Sequence, residues 1–425
     1  MDRASVRAKM REIHRDLAYN VTRIFMRDDI LHAFDLVAHS VLHFDFLGQR
    51  VRKGWVEGLV LGDTRCGKSE TAQRLVQHYR AGEVATGENA TYAGLIGGMQ
   101  QTQKTWSITW GKIPLNDRRM LVIDEVSSLD HAAIARMSSV RSSGVAEVVK
   151  IQTERTASRV RLLWIGNPRR PRPLASYNSG VEAVQELIGQ PEDVARFDFA
   201  VAVAQGEVPL DVINRVGHAA VPHVYTSDLC RRLVYWAWSR RPDDVVFARE
   251  AEEACLDLAT KMSRRYSSAV PLVEPNEQRI KLARLAAACA ARLFSTDDGH
   301  RLLVLAPHVE YVVEWLDECY SKPSMGYDLY SRAKIAEYEV DDPAAVEEEL
   351  GRYTPELVRC LADAGTFTAS DLEDFIGSDR ERARALASFL VRHRCAKKSS
   401  KGYYKLPAFI ALLRGLRERG LGGKQ

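Results

Sequence analysis

Residues 58–70 read GLVLGDTRCGKSE, and within them Gly62, Asp63, Thr64, Arg65, Cys66, Gly67, Lys68 and Ser69 have the G-x-x-x-x-G-K-S spacing of a phosphate-binding loop. Successive backbone N–H groups of such a loop wrap phosphate oxygens, and the start of the following helix adds partial positive charge. Lys68 is placed to reach the β- and γ-phosphates, and the Ser69 hydroxyl to ligate Mg²⁺. The flanks agree with this. WVEGLVL (55–61) reads as a short buried strand, and SETAQRLVQHY (69–79) as a helix. The expected cofactors are ATP and Mg²⁺, with Gly62 through Ser69 and the following Glu70 forming the nucleotide loop.

Three more apolar runs end in chemistry. MLVIDEV (120–126) delivers Asp124 and Glu125 to a strand end. Asp124 is the second expected magnesium ligand, and Glu125 the expected base that polarises the attacking water. VRLLWIGN (160–167) ends in Asn167, whose amide suits the γ-phosphate or that water. FDFAVAV (197–203) follows Arg196, a candidate finger for a neighbouring subunit's nucleotide. Helical patterns separate several of these runs, which argues for an α/β fold with a parallel sheet and helices on its faces.

The bulk properties are those of a globular chain long enough for two or three domains: 425 residues, 46% hydrophobic, 27% charged, net charge +4. The seven cysteines are scattered with no C-x-x-C pair, which excludes a cysteine-pair zinc site and fits free thiols in a reducing compartment. No apolar run reaches membrane-spanning length, and the charged N-terminus lacks a signal-peptide core. A cytoplasmic protein without membrane contact is expected.

Five segments follow from this reading. Residues 1–50 are expected to form a helical segment, including a helix through Ile30, Leu31, Phe34, Val37, Ala38 and Leu42 that ends near His43. Residues 51–224 hold the α/β core, and 225–334 an all-α subdomain. Residues 335–350 carry seven acids and no base and read as a linker or solvated face. In 379–424 the sign reverses, with thirteen Lys/Arg against three Asp/Glu. Two helical patterns and KKSSKGYYKL make 351–425 a winged helix, with Arg384, Lys398 and Lys401 as candidate DNA contacts. Arg279 or Arg284, beginning a helix in the all-α segment, is a further candidate γ-phosphate sensor.

This order of parts resembles the AAA+ ATPases, and within them the minichromosome maintenance helicases. The resemblance rests on GDTRCGKS (62–69), VIDE (122–125), GNP (166–168) and ARFD (195–198), and spans roughly residues 30–415. Residues 93–118 resemble that family's helix-2 insert and 147–161 its pre-sensor hairpin. The resemblance implies an AAA+ core, an α-helical lid and a C-terminal winged helix. It further implies a cis ATPase site of Lys68, Ser69, Asp124, Glu125 and Asn167, a trans Arg196, and a ring, a hexamer by analogy. Lys150 and Arg155 of the hairpin, with Lys104 of the other insert, would meet single-stranded DNA in the channel, and the winged helix duplex DNA. Primase, polymerase or another replication protein would be the partners. Departures are plain: about sixty residues precede the loop, so the family's N-terminal DNA-binding and zinc modules are not expected. Thr64-Arg65-Cys66 replaces a Pro-Gly-Thr type tip, and Glu70 a common glutamine. The expected activity is an ATP-dependent DNA helicase or translocase. The alternative is an ATP-dependent DNA-binding regulator or loader without strand separation.

Overall fold

The computed structural model describes residues 2–102, 105–149, 153–214, 220–336 and 339–418. The chain divides into two compact units, Met1–Tyr330 and Ser331–Gln425.

The first unit is built on a five-stranded parallel sheet. Its strands are β1 (Glu57–Gly62), β2 (Glu83–Thr86), β3 (Met120–Asp124), β4 (Arg161–Gly166) and β5 (Phe199–Val203), in the spatial order β5-β1-β4-β3-β2. Every residue of β1, β3, β4 and β5 is buried, as expected of strands covered on both faces, which is why their sequences are near-continuous apolar runs. Strand β2 was not expected. It is a four-residue edge strand, EVAT, only half-buried, so it carries no apolar run to betray it. Its register sets Thr86 opposite Asp124. Helix α3 (Lys68–Tyr79) follows β1 directly.

The N-terminal segment is part of this core. Helix α1 (Arg3–Leu17) buries Val6, Met10, Ile13 and Leu17, and α2 (Asp28–Ala38) buries every residue from Ile30 to Ala38. An ionic cluster ties them inward. Asp35 accepts from Tyr79 Oη at 2.5 Å and lies 2.9 Å from Arg292 Nε of helix α4 (Gln278–Arg292). The helices at 227–238, 249–265 and 306–321 and α4 share one continuous hydrophobic cluster with the sheet. Trp315, for instance, meets Phe199 of β5 edge-on at 5.3 Å.

Two hairpins leave the sheet. Gly97–Thr102 pairs antiparallel with Thr105–Trp110, in the stretch read as a helix-2 insert. Val145–Val149 pairs with Thr153–Ala157, in the stretch read as a pre-sensor hairpin. Lys104 and Lys150 lie outside the described residues.

The second unit has its own core, with Leu357, Leu361, Phe367, Leu386, Leu390 and Phe409 at its centre. Helices at Pro343–Gly351, Pro355–Asp363, Ala369–Glu373, Arg380–Arg392 (α5) and Pro407–Glu418 surround a small antiparallel sheet of 366–367, 402–405 and 396–399. The acidic stretch expected to be a linker or solvated face ends as the first of these helices. Val346 and Leu350 turn into the core, while Glu348 faces water. No helix among the described residues is long and apolar enough to cross a membrane.

Candidate nucleotide site

The parallel sheet delivers β1, β3 and β4 to a single edge, so their C-terminal residues converge without any contact between them in sequence. Gly67 caps α3 at φ 83°, a left-handed conformation that glycine adopts at no cost, and it opens the helix N-terminus toward the loop. Gly62 is required for a different reason: a Cβ there would lie 2.3 Å from Val203 O of the neighbouring strand.

Lys68 is 5% exposed. Its Nζ donates to Gly62 O at 2.9 Å, Asp63 O at 2.5 Å and Asn167 Oδ1 at 3.0 Å. Burial pulls its pKa down to about 8. An ammonium held by neutral oxygens alone, with no carboxylate in contact, keeps its charge for an anion. Strand β4 lies between β1 and β3, which is how Asn167 comes to stand beside Lys68. Arg169 fixes the turn after Asn167, donating to Ser127 O, Leu129 O and Leu187 O at 3.1, 2.7 and 2.9 Å.

Ser69 Oγ donates to Asp124 Oδ1 at 2.9 Å, and the same oxygen accepts from Glu125 N at 2.9 Å. Hydroxyl and carboxylate oxygens suit Mg²⁺, which keeps several waters and takes its remaining ligands from substrate phosphates. No group of three or more His, Cys, Asp or Glu side chains among the described residues could hold a metal alone, so such an ion would depend on the phosphates. Glu125 sits at φ 56°, a strained position for a non-glycine residue. Burial raises its carboxyl above the usual range, and the neighbouring Glu88 raises it further.

A cavity of about 510 Å³ runs along this edge from Thr64 to Asn167. A second, of about 430 Å³, shares Ile24, Arg65, Cys66 and Gly67 with it and extends to Phe25, Val208 and Val212. Beside Arg23, Arg27 and Gln205, the second cavity is lined by Ile24, Phe25, Val208, Val212 and Ile213.

Several expected loop contacts have other partners. The Asp63 carboxylate is buried and accepts from Leu174 N at 2.8 Å and Gln205 N at 3.0 Å, so it anchors the loop and does not face a ligand. Glu70 pairs with Arg74 at 2.6 Å, and Arg74 also donates to Thr22 O at 2.8 Å, fastening the N-terminal segment to α3. Thr64 contributes its carbonyl to Gln205 Nε2. Burial pushes the Cys66 thiol up, against the lowered value that proximity to Lys68 and a helix N-terminus would give.

The structure does not bring the arginines to this edge. Arg196 precedes β5, so it stands at the opposite end of the sheet from Lys68. It is tied to Ser138 Oγ at 2.6 Å and Asp193 at 3.6 Å. Arg284 is at that end as well, engaged with Asp198 at 2.8 Å and Lys53 O at 2.7 Å. A six-residue strand at about 3.3 Å per residue separates this end from Lys68 by roughly 20 Å. As a sensor of this chain's own γ-phosphate Arg284 is therefore excluded. Arg279 is exposed and donates to Asn276 O at 2.9 Å, touching none of the loop residues.

Sequence reasoning missed Glu88 and Ile24. Glu88 was hidden with β2, the strand it follows. A Cβ on Gly87 would lie 2.5 Å from Glu125 O, so β2 and β3 meet closely just before Glu88. Ile24 comes from a turn between α1 and α2 that packs on Gly67, and no pattern marks it.

Of the expected DNA contacts, Arg155 is exposed and pairs with Glu147 across its hairpin at 2.8 Å. In the second unit Arg384, Lys398 and Lys401 are exposed, and Tyr404 is 41% exposed on the hairpin that follows α5. Lys405, counted with that basic run, is buried and donates to Leu361 O and Ala362 O, which removes it from the surface. No family model matches the chain, and no curated protein matches it.

Proposed function

We propose that the protein is an ATP-driven motor of the AAA+ type, close in design to the minichromosome maintenance helicases, acting on DNA as a homo-oligomeric ring in the cytoplasm. The observation that carries the reading is the convergence of Lys68, Ser69, Asp124, Glu125 and Asn167 on one sheet edge.

In this reading Lys68 exchanges its carbonyl partners for β- and γ-phosphate oxygens. Ser69 and Asp124 hold Mg²⁺, which when bound neutralises charge developing on the phosphates. Asn167 orients the γ-phosphate or the attacking water, and Glu125 accepts that water's proton. The recess at Ile24, Phe25 and Val212 receives the base. Arg196, remote from its own loop, is the group a neighbouring subunit's nucleotide would use, which makes the oligomer a requirement for turnover. The helices at 227–321 act as the lid. The second unit is a winged helix whose α5 and hairpin meet duplex DNA through Arg384, Lys398 and Lys401, while Arg155 and its hairpin face single-stranded DNA. A hexamer working beside a primase or polymerase is the corresponding assembly.

ATP hydrolysis measured with single-stranded, duplex and forked DNA, alongside strand displacement on the same samples, tests this. DNA-stimulated hydrolysis with displacement supports a helicase. Stimulation without displacement under any salt or oligomer condition replaces it with a loader or regulator. Hydrolysis that no DNA stimulates removes DNA from the account.

A further inference from the structure

The sheet edge opposite the nucleotide loop carries more positive charge than its neighbours neutralise. Arg161, the first residue of β4, is wholly buried. Its Nε donates to Ser40 O at 2.6 Å and one terminal nitrogen to Arg118 O at 2.6 Å, while the other has no hydrogen-bond partner. The guanidinium lies 4.7 Å from the Trp238 ring, and among the described residues no carboxylate forms an ion pair with it. Burial pulls its pKa to about 9, against the attraction of Asp117. An uncompensated buried cation is costly, and its field is only weakly screened within the fold.

The surroundings do not cancel that field. Asp117 is already engaged by Arg159 at 2.6 Å. Arg118 shares the same carboxylate only at 3.8 Å and is 67% exposed. Arg50 is taken up by Asp45 and Asp243. Arg52 is exposed and forms no ion pair among the described residues. His43 accepts this field from the centre: its Nδ1 lies 2.5 Å from Arg52 O, and burial together with Arg159, Arg50 and Arg118 pushes its pKa down.

We propose that Arg52 and Arg118, backed by Arg159 and Arg161, form a docking surface for the phosphodiester backbone of DNA. Planar guanidinium groups match phosphate oxygens two at a time. The exposed pair comes from two separate stretches of chain near His43. The choice of DNA rests on the function proposed above; the charge surplus does not.

The test uses the full chain without nucleotide and two labelled probes, a duplex and a single strand of equal length. Binding is followed by fluorescence anisotropy over a KCl series. For Arg52→Ala/Arg118→Ala, the slope of log K against log salt falls by roughly 1.8 on duplex, or roughly 1.4 on single strand, the loss of two phosphate contacts at about 0.9 or 0.7 each. Which probe shows the loss identifies the form bound. DNA-independent ATP hydrolysis and the thermal midpoint stay at the wild-type level. Unchanged slopes on both probes overturn the surface. Tighter DNA binding by the variant also overturns it, because the pair then contributes no phosphate contact. Lys398→Ala/Lys401→Ala separates the two claims. If its slope falls and the arginine variant's does not, DNA binding stands and this surface falls. If wild type binds neither probe, the DNA reading itself fails and the inference with it.

Discussion

Lowering the pH from 7 to 5 will destabilise the first unit, and the least size of the loss follows from two of its buried imidazoles. Burial lowers His39 to about 3 and His308 to about 4, and holds His32 well below its ordinary value of 6.5. In the unfolded chain each titrates near 6.5. Between pH 6.5 and 5 the unfolded chain therefore binds protons that the folded chain does not, so stability falls as pH falls. His39 and His308 each contribute a loss of about 2 kcal/mol over pH 7 to 5, or roughly 4 kcal/mol for the pair, and His32 adds to it in the same direction. Half-buried His43 and His78 shift the same way. Carboxylates with lowered values act mainly below pH 5, so this window isolates the histidines. A loss of that size is comparable with the whole stability of many domains, about 5–15 kcal/mol. Urea unfolding at pH 7, 6 and 5, read by tryptophan fluorescence, measures it. Every tryptophan lies at or before position 315, so the signal reports the first unit alone. A change below about 1 kcal/mol at constant m would refute the reasoning, because the rings would then take up protons in the fold.

Other expectations are as specific. Arg141→Ala removes a buried guanidinium bridging Glu57 at 2.6 Å and Asp193 at 3.3 Å and leaves them only the longer contacts to Lys53 at 3.4 Å and Arg196 at 3.6 Å; a loss of about 3 kcal/mol in the same unfolding assay is expected. Asn167→Ala leaves nucleotide affinity within a few-fold while turnover falls about 100-fold, read as a split between Kd and kcat. Neither Arg196→Ala nor Lys68→Ala alone will hydrolyse ATP, but mixed subunits will regain part of the activity; no recovery at any ratio would remove the trans role.

The four strands that carry apolar runs were legible because a strand buried on both faces must be apolar throughout. Their end residues were legible because the spacing of Lys68 and Ser69 leaves few other uses. Strand β2 was not, since a half-buried edge strand obeys no such rule, and Glu88 went with it. Asp63 and Glu70 were legible as loop positions, but the partners of their side chains were not: sequence shows that a side chain is in a loop, not whether a backbone amide or a neighbouring arginine already holds it. The same limit applied to Arg284, whose partner Asp198 is 86 positions away. Val346 and Leu350 were obscured by the acids around them, though their spacing of four already placed them on one helix face.

The central claim is that Glu125, at the end of β3, activates water against a nucleotide held by Lys68. Glu125→Gln keeps the side chain's shape and removes its capacity as a base. ATP binding and single-turnover hydrolysis by this variant test the claim most directly. ATP bound at wild-type affinity and recovered intact, with hydrolysis reduced at least about 100-fold, is the expected result. Turnover at the wild-type rate would contradict it.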